Sequence, residues 1–225
     1  MRVDWGFISK YTPMYIKAAG LTLRIAAVGI LLSLAVGALC CVARHFRVPV
    51  LRQIAGGYIE LARNTPLLIQ LFFLYFGLPK VGVVLAAETC AIVGLTFLGG
   101  AYMAEALRSG LDAVERSQIE AGECLGLTPI QNIRYVIFPQ AIATAFPAVF
   151  ANVIFLIKET SVFSAVALAD LMYVAKDLIG MYYKTDEALF MLVVAYLVIL
   201  LPLSVIGTLL ERRLRYAGLG NQRTV

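Results

Sequence analysis

The sequence predicts an all-α membrane protein that crosses the bilayer about five times. Of its 225 residues, 61% are hydrophobic, and the mean hydropathy is +0.85, whereas about half of a soluble domain is apolar. The apolar residues form uncharged runs long enough to span a hydrocarbon core as helices. We therefore expect residues 1–225 to form a single transmembrane domain, with little chain left for a soluble one.

Five segments are the candidate spans. The first is uncharged and about 28 Å long as a helix, with Arg24 at its edge. The second is only about 24 Å long and crosses if its helix begins earlier, with Glu60 and Arg63 paired on one face. In chain order the segments are residues 25–43, 64–79, 89–104, 135–157 and 188–210.

Proline and glycine modify these spans. Thr12-Pro13 suggests a turn before the first span. Gly99 and Gly100 should let the third pack closely against a neighbour. Pro139 and Pro147 should bend the fourth.

The basic residues predict the orientation. An odd number of spans puts the two termini on opposite sides of the membrane. Eleven of the 19 basic residues then fall in the cytoplasm if the N-terminus is outside, a modest positive-inside bias. We therefore expect the N-terminus outside and the C-terminus in the cytoplasm, and we read the net charge as topology rather than as a nucleic-acid surface. The eleven are Arg44, Arg47, Arg52, Arg63, Arg108, Arg116, Arg134, Arg212, Arg213, Arg215 and Arg223.

One polar stretch, residues 109–134, separates the third and fourth spans, and we call it the elbow. It predicts two short helices joined at Gly126, where glycine accepts a left-handed conformation without strain. Ser117 with Glu120 and Thr128 with Gln131 each fit a capping box at the start of a helix. Flanked by spans, the elbow should project into water.

The elbow sequence also carries a family resemblance. The run Glu-Ala-Gly-Glu-Cys-Leu-Gly-Leu at 120–127, followed by Phe-Pro-Gln-Ala at 138–141, resembles the EAA loop of ATP-binding-cassette (ABC) importer permeases. Residues 62–70 and 158–161 are similar to motifs of the polar amino-acid branch. Gly122 replaces the usual alanine, which should loosen the helix by roughly 0.5–1 kcal/mol. The alternative is an ordinary polar loop with two capped helices.

The resemblance implies a type I importer permease fold in the bacterial cytoplasmic (inner) membrane. In that family two permeases, identical or paralogous, pair above two ATPase subunits that bind ATP and Mg. An extracytoplasmic substrate-binding protein delivers the polar amino acid, which crosses by alternating access. The elbow is then the cytoplasmic coupling loop, and its ATPase contacts are Glu120, Ala121, Gly122, Cys124, Leu125 and Gly126.

The residue types and their spacing do not indicate an enzyme. No Gly-x-x-x-x-Gly-Lys-Ser/Thr phosphate cradle is present in the sequence, so we expect ATP hydrolysis in a partner and no cofactor in this chain. His45 is the only histidine, and it falls in a basic loop. The cysteines lack metal-ligand spacing and are expected to be free thiols, mostly buried. They are Cys40, Cys41, Cys90 and Cys124.

Polar residues at membrane depth are the candidates for a substrate pathway, because their desolvation is costly unless they face a cavity or a partner. By resemblance, Glu159 would accept the ammonium group of an amino acid. Thr160, Ser161 and Asn64 would donate to its carboxylate. The candidates are Asn64, Thr65, Gln70, Tyr102, Glu159, Thr160 and Ser161.

Structural roles are the alternatives for these residues. The three around the second span could cap helices instead. Glu105 is expected to pair with Arg108. Glu159 could pair with Lys158 in an outer polar cap, and length counting from Pro139 would place it near the outer surface.

Two other functions stay open. An ion-coupled secondary transporter subunit would carry midplane carboxylates. An inverted repeat in the sequence would favour this interpretation, and this sequence lacks one. A non-transporting membrane scaffold would keep the elbow without a working cavity. Co-purification with an ATPase chain and a transport assay separate these from an importer permease.

Overall fold

The computed structural model describes residues 4–45 and 49–218, and within them it contains only helices and their connections. The π-helical turns are Phe73–Gly77 and Ile133–Ile137, and the 3-10 turns are Leu78–Val81 and Thr160–Val166. The α-helices are α1 (Trp5–His45), α2 (Pro49–Arg63), α3 (Leu67–Phe72), α4 (Ala87–Asp112), α5 (Arg116–Cys124), α6 (Pro129–Asn132), α7 (Phe138–Glu159), α8 (Leu171–Tyr182) and α9 (Thr185–Gly218).

Four helical stretches are long and apolar enough to cross a membrane. A fifth crossing would be made by α2 together with Leu67–Val81, a pair bent by 101°. The predicted all-helical fold with about five spans is therefore confirmed. The four stretches are Trp5–Arg44, Ala87–Asp112, Pro129–Val166 and Thr185–Leu214.

The predicted second span is not one straight helix. Pro66 has no N–H and pushes the residue before it out of helical geometry, so α2 ends at Arg63. The expected pair between Glu60 and Arg63 was wrong. The Glu60 carboxylate accepts a hydrogen bond from Asn64, and Arg63 lies over the ring of Tyr102.

The expected turn at Thr12-Pro13 was also wrong, because α1 continues through Pro13. Two ion pairs join α1 to α4, Arg24 with Glu88 at 2.6 Å and Arg44 with Glu105 at 2.5 Å. Their arginines are about 30 Å apart along α1, which equals the thickness of a hydrocarbon core. The predicted first span, residues 25–43, lies between these two levels.

The centre of the helix bundle is where α1, α4 and α7 meet. A β-carbon at Gly99 would collide with Ser33 of α1 and with Leu156 of α7. A β-carbon at Gly100 would lie 2.8 Å from Val36 of α1. The close packing predicted for these two glycines is confirmed, and Ser33 sits about 14 Å from Arg24, near the middle of the span.

Helix α8 was missed by the sequence analysis, because twelve residues are too few for a span. It packs on the N-terminal part of α1 and the start of α9 through residues that include Tyr15, Leu178 and Met191. Asp170 caps its first turn by accepting a hydrogen bond from the Tyr173 N–H at 2.8 Å. Outside the bundle centre, α8 therefore ties the beginnings of α1 and α9 together.

Both prolines of the predicted fourth span lie in the continuous stretch Pro129–Val166. Pro139 follows the π turn Ile133–Ile137, a local widening that is common where a helix loses a hydrogen bond.

Candidate coupling surface and substrate pathway

The first helix of the elbow starts earlier than predicted. Its N-cap is Glu115, in extended geometry, and no side chain caps it. The Ser117 hydroxyl donates to the Glu115 carboxylate at 3.1 Å. The predicted Ser117–Glu120 capping box was therefore wrong, because Ser117 already lies inside the helix.

The second half of the elbow is as predicted. Thr128 and Gln131 form the full capping box, in which the Gln131 side-chain oxygen accepts from the Thr128 N–H at 2.9 Å. Gly126 has φ of +78°. Its N–H donates to the Glu123 carbonyl at 2.9 Å, and the next N–H, of Leu127, donates to Gly122 at 3.1 Å. These bonds satisfy the last carbonyls of α5 and end the helix.

Gly122 lies against Asn132, a residue that the sequence analysis missed. Asn132 is 3% exposed, and its amide NH₂ donates to the Ile119 carbonyl at 2.8 Å. A β-carbon at Gly122 would lie 2.6 Å from the amide oxygen of Asn132. The glycine therefore makes room for a buried amide that joins α5 to the base of α7. Gly122 in place of the usual alanine was the signal that could have revealed it.

The other predicted coupling residues share an exposed surface. It consists of Glu120, Ala121, Cys124, Leu125 and Gly126, whereas Gly122 is buried. Leu125 is 82% exposed and Ile130 is 78% exposed. Large apolar side chains this exposed on a polar segment are typical of a binding surface.

The four cysteines are free, as expected. Cys41 and Cys90 are buried and Cys40 is half-buried, but Cys124 is exposed on the elbow.

Three predicted pathway residues lie at the break between α2 and α3, and their amide and hydroxyl groups satisfy backbone carbonyls there. Asn64 donates to the Glu60 carbonyl at 2.8 Å, and the Thr65 hydroxyl donates to Leu61. Gln70 donates to the Thr65 carbonyl at 3.0 Å. Capping is thus a role these residues do fill.

A cavity of about 520 Å³ lies beside this break. Thr65 and Gln70 line it together with apolar residues that include Phe97. The structure does not bring Asn64, Tyr102 or Glu159 into its lining.

Tyr102 lies in a different group. Its ring centroid is 5.1 Å from that of Phe155 on α7 and 5.4 Å from the guanidinium carbon of Arg63. Its backbone carbonyl accepts from Asn152 at 3.1 Å. Three partners of Tyr102 were therefore missed, and Arg63 was missed because the sequence offered Glu60 as a nearer partner.

Glu159 ends α7 and is half-buried. No ion pair with Lys158 or any other described residue is formed, so the alternative of a Lys158–Glu159 pair is not supported. Leu156 is level with Ser33 at mid-span. Glu159 therefore lies about 5 Å from that level in the direction of Arg24 and about 9 Å short of Arg24, which is membrane depth rather than the membrane surface.

The neighbours of Glu159 differ in accessibility. Thr160 is fully buried, and its hydroxyl donates to the Ile157 carbonyl at 2.7 Å. Ser161 is half-buried in the following 3-10 turn. Of the two hydroxyls, only that of Ser161 is placed to meet a ligand.

Glu105 has a structural role, as predicted. Its carboxylate accepts from Arg108 at 2.8 Å and from Arg44 of α1 at 2.5 Å. Arg108 also reaches Asp112 at 2.5 Å. Within residues 4–45 and 49–218, no three His, Cys, Asp or Glu side chains are grouped as metal ligands.

The chain is similar to known transport proteins in both sequence and fold. A family model described as "Binding-protein-dependent transport system inner membrane component" matches residues 15–216. The glutamine transport system permease protein GlnP of Escherichia coli (strain K12) is 35% identical over 217 residues, covering 96% of this chain and 99% of GlnP. The probable amino-acid ABC transporter permease protein PatM of Vibrio harveyi is 35% identical over 199 residues, covering 87% of this chain and 89% of PatM.

Solved structures agree in fold. A chain in the crystal structure of an amino acid ABC transporter with histidines superposes with a TM-score of 0.88 at 33% identity, covering 95% of this chain and 100% of that one. A chain of the inward-facing MetNI methionine ABC transporter superposes with a TM-score of 0.70 at 22% identity, covering 91% and 98%, which shows a shared fold. The chain thus belongs to the binding-protein-dependent transport system inner-membrane components, as a multi-pass permease subunit of the amino-acid ABC importers.

Proposed function

We propose that this chain is the subunit through which a polar amino acid crosses the bacterial inner membrane, with glutamine and histidine as the first candidates. Membership of the family implies ATPase subunits and a substrate-binding protein as partners, and ATP hydrolysis belongs to the ATPase subunits. ATP and Mg bind there, and a second permease, a copy or a paralogue, completes the pathway. The chain forms one transmembrane domain over residues 1–225, surrounded by lipid.

The elbow is the coupling element in this proposal, and its exposed surface is the observation that carries it. Leu125 and Ile130 project from the elbow, in which the short helices α5 and α6 follow each other between two spans. An ATPase subunit that binds this surface moves α5, and α5 is joined to α7 through Asn132. ATP-driven closure of the ATPase pair would reach the substrate pathway by this route.

The substrate pathway runs along α2, α3, α4 and α7. Its proposed residues are the seven named from the sequence: Asn64, Thr65, Gln70, Tyr102, Glu159, Thr160 and Ser161. The depth of Glu159 supports this, because an unpaired carboxylate inside the bilayer is costly unless it meets water or a ligand. Thr160 takes part through packing, since its hydroxyl is already bonded.

The proposed orientation is N-terminus outside and C-terminus in the cytoplasm. The beginnings of α1 and α9 lie together, joined by Asp4 and Lys184 at 3.2 Å. Arg44 and Arg108 lie at the opposite, elbow end. Two arginines that counted toward the bias, Arg47 and Arg223, lie outside the described residues. Reporter fusions to the C-terminus should be active in the cytoplasm, and activity only outside would contradict the coupling assignment as well.

Reconstitution tests the proposed function. The chain should retain an ATPase subunit on purification, and proteoliposomes should accumulate labelled glutamine or histidine only with ATP and a loaded binding protein. Uptake that follows an ion gradient without ATP would instead support a secondary transporter. A complex that binds and hydrolyses ATP but transports none of a panel of amino acids would support a scaffold.

A further inference from the structure

Arg63 is a charged side chain with no counter-ion among the described residues. It is the last residue of α2, at the 101° break that precedes α3, and it is exposed. Among the described residues no carboxylate lies within ion-pair distance of it. Its guanidinium carbon lies 5.4 Å from the centroid of the Tyr102 ring, a contact that leaves the N–H groups free to donate.

The position of Tyr102 along the span gives the depth of Arg63. The neighbouring residues Gly100 and Met103 touch Val36 and Gly37 of α1. Val36 is about 12 Å along the helix from Arg44 and about 18 Å from Arg24, the residues of α1 that mark the two ends of the span. Arg63 is therefore held inside the bilayer, where a cation is costly unless it faces water or an anion.

The carboxylate donors expected from the sequence are mostly occupied. The Thr160 hydroxyl is buried and bonded to Ile157, and the Asn64 amide is bonded to Glu60. Ser161 remains, but a single hydroxyl is a weak match for a carboxylate. Arginine presents a planar fork of N–H groups that binds both oxygens of a carboxylate.

We propose that Arg63 binds the α-carboxylate of the transported amino acid inside the permease, with the Tyr102 ring fixing the plane of its guanidinium. Glu159 is the oppositely charged group, one helical turn beyond Phe155, whose ring packs against that of Tyr102. An amino acid moving along α7 meets a cation and an anion that no other described residue neutralises. This assignment rests on the proposed transport of amino acids.

The test measures binding to the permease itself. The assembled permease–ATPase complex is used without nucleotide and without binding protein, so that recognition by the binding protein does not contribute. The probes are labelled L-glutamine and 4-aminobutanamide, which is glutamine without its carboxylate. Arg63→Gln removes the charge, and Arg63→Lys keeps it. Arg52→Gln removes an arginine from the same helix and serves as the matched control.

The expected result is selective. Arg63→Gln should weaken glutamine binding at least tenfold and leave 4-aminobutanamide binding unchanged, whereas Arg63→Lys should recover part of the glutamine binding and Arg52→Gln should match the parent. In proteoliposomes, Arg63→Gln should lose glutamine uptake while the loaded binding protein still stimulates ATP hydrolysis.

Two results would overturn the assignment. Equal loss of both probes would mean that Arg63 only supports the fold, and parental glutamine binding in Arg63→Gln would mean that the carboxylate binds elsewhere. If Arg63→Gln does not assemble, the parental complex decides, because a carboxylate site requires it to prefer glutamine to 4-aminobutanamide. A parental complex that transports none of the amino acids tested contradicts the proposed function instead.

Discussion

The amide oxygen of Asn132 occupies the space that a β-carbon at Gly122 would need, at 2.6 Å from its position. The same amide donates to α5 at the Ile119 carbonyl. Asn132 is the last residue of α6 and is followed directly by the π turn that leads into α7. The pair therefore sets how closely α5 approaches the start of α7.

Gly122→Ala should damage coupling although alanine is the better helix former. The added methyl forces Asn132 or α5 to move, which costs about 1–3 kcal/mol in a packed site. Stimulation of ATP hydrolysis by the loaded binding protein should fall severalfold. Asn132→Ala, which removes the bond to the Ile119 carbonyl, should also lower the stimulation. Gly122→Ala plus Asn132→Ala should then lose no more than the larger single effect, a non-additive result that independent sites would not give. Additive losses would show that the two residues do not act through each other.

Glu159→Gln should weaken transport and leave assembly and basal ATP hydrolysis normal. The amide keeps the shape of the side chain and removes the charge, and no described ion pair is lost with it. Uptake by proteoliposomes and thermal unfolding in detergent measure the two effects. Lys158→Gln, a neighbouring exposed charge, should transport like the parent. Equal transport by the parent and Glu159→Gln would return Glu159 to a purely structural role.

Two carboxylates of α4 form ion pairs that differ in burial, and we expect their removal to differ in its effect on stability. Glu105 is bonded by Arg44 and Arg108 and its side chain is 23% exposed, so Glu105→Gln should cost about 1–2 kcal/mol. Glu88 pairs with Arg24 at 48% and 62% exposure, so Glu88→Gln should cost at most about 0.5 kcal/mol. Thermal unfolding should show a clear shift for the first variant alone, and equal shifts would contradict this difference in burial.

The local features of the elbow could be predicted because short-range rules govern them. Thr128, Gln131 and Gly126 act within a few residues of sequence. The Ser117 box failed because two overlapping helix starts fit the same residues, and one residue of shift changes which side chain is the cap. The Asn132–Gly122 contact joins residues ten apart across a turn, so it depends on an angle between helices that no local pattern gives.

The pathway residues were harder to place than the spans. Hydropathy finds long apolar runs, but it treats residues 64–79 as one run and cannot show a 101° break at Pro66. Counting from Pro139 placed Glu159 too near the surface because it takes Pro139 as the membrane edge. The nearby Ala141 lies against Gly110, about 8 Å beyond Glu105 along α4. Arg63 looked satisfied beside Glu60, and only the bend shows that it points to Tyr102 instead.

The stability of the protein should depend on pH through Asp170. Burial raises the pKa of this carboxyl to about 6 from its usual 3.8, and one of its oxygens has no partner among the described residues. Because the folded state binds the proton more tightly than the unfolded state, the stabilisation is full below pH 3.8 and is lost as the pH rises through about 6. The melting temperature should therefore decrease between pH 5 and pH 7 by an amount that Asp170→Asn removes. Parallel profiles for the two proteins would exclude this carboxyl as the cause.

Gly126→Val should uncouple the elbow without unfolding the bundle. At φ of +78° a β-branched residue is strained by about 1–3 kcal/mol, and nothing lies within 4 Å of the position of its β-carbon, so the strain is in the backbone alone. That cost is small for packed spans but large for a short exposed helix pair. Gly82, with φ of +86° and equally open surroundings, lies in the connection between the bent pair and α4, and Gly82→Val is the matched control.

The two valine variants carry the same kind of backbone strain at different places. Their comparison therefore tests whether strain in the elbow, rather than strain at any left-handed glycine, disturbs coupling. Both should insert and fold like the parent. Gly126→Val should retain less ATPase subunit on purification, or retain it without stimulation by the loaded binding protein, because the surface around Leu125 is turned away from its partner. Gly82→Val should keep both properties. If Gly126→Val also keeps both, the elbow does not couple ATP hydrolysis to transport through the surface described here, and the proposed route from Leu125 through Asn132 to α7 is wrong.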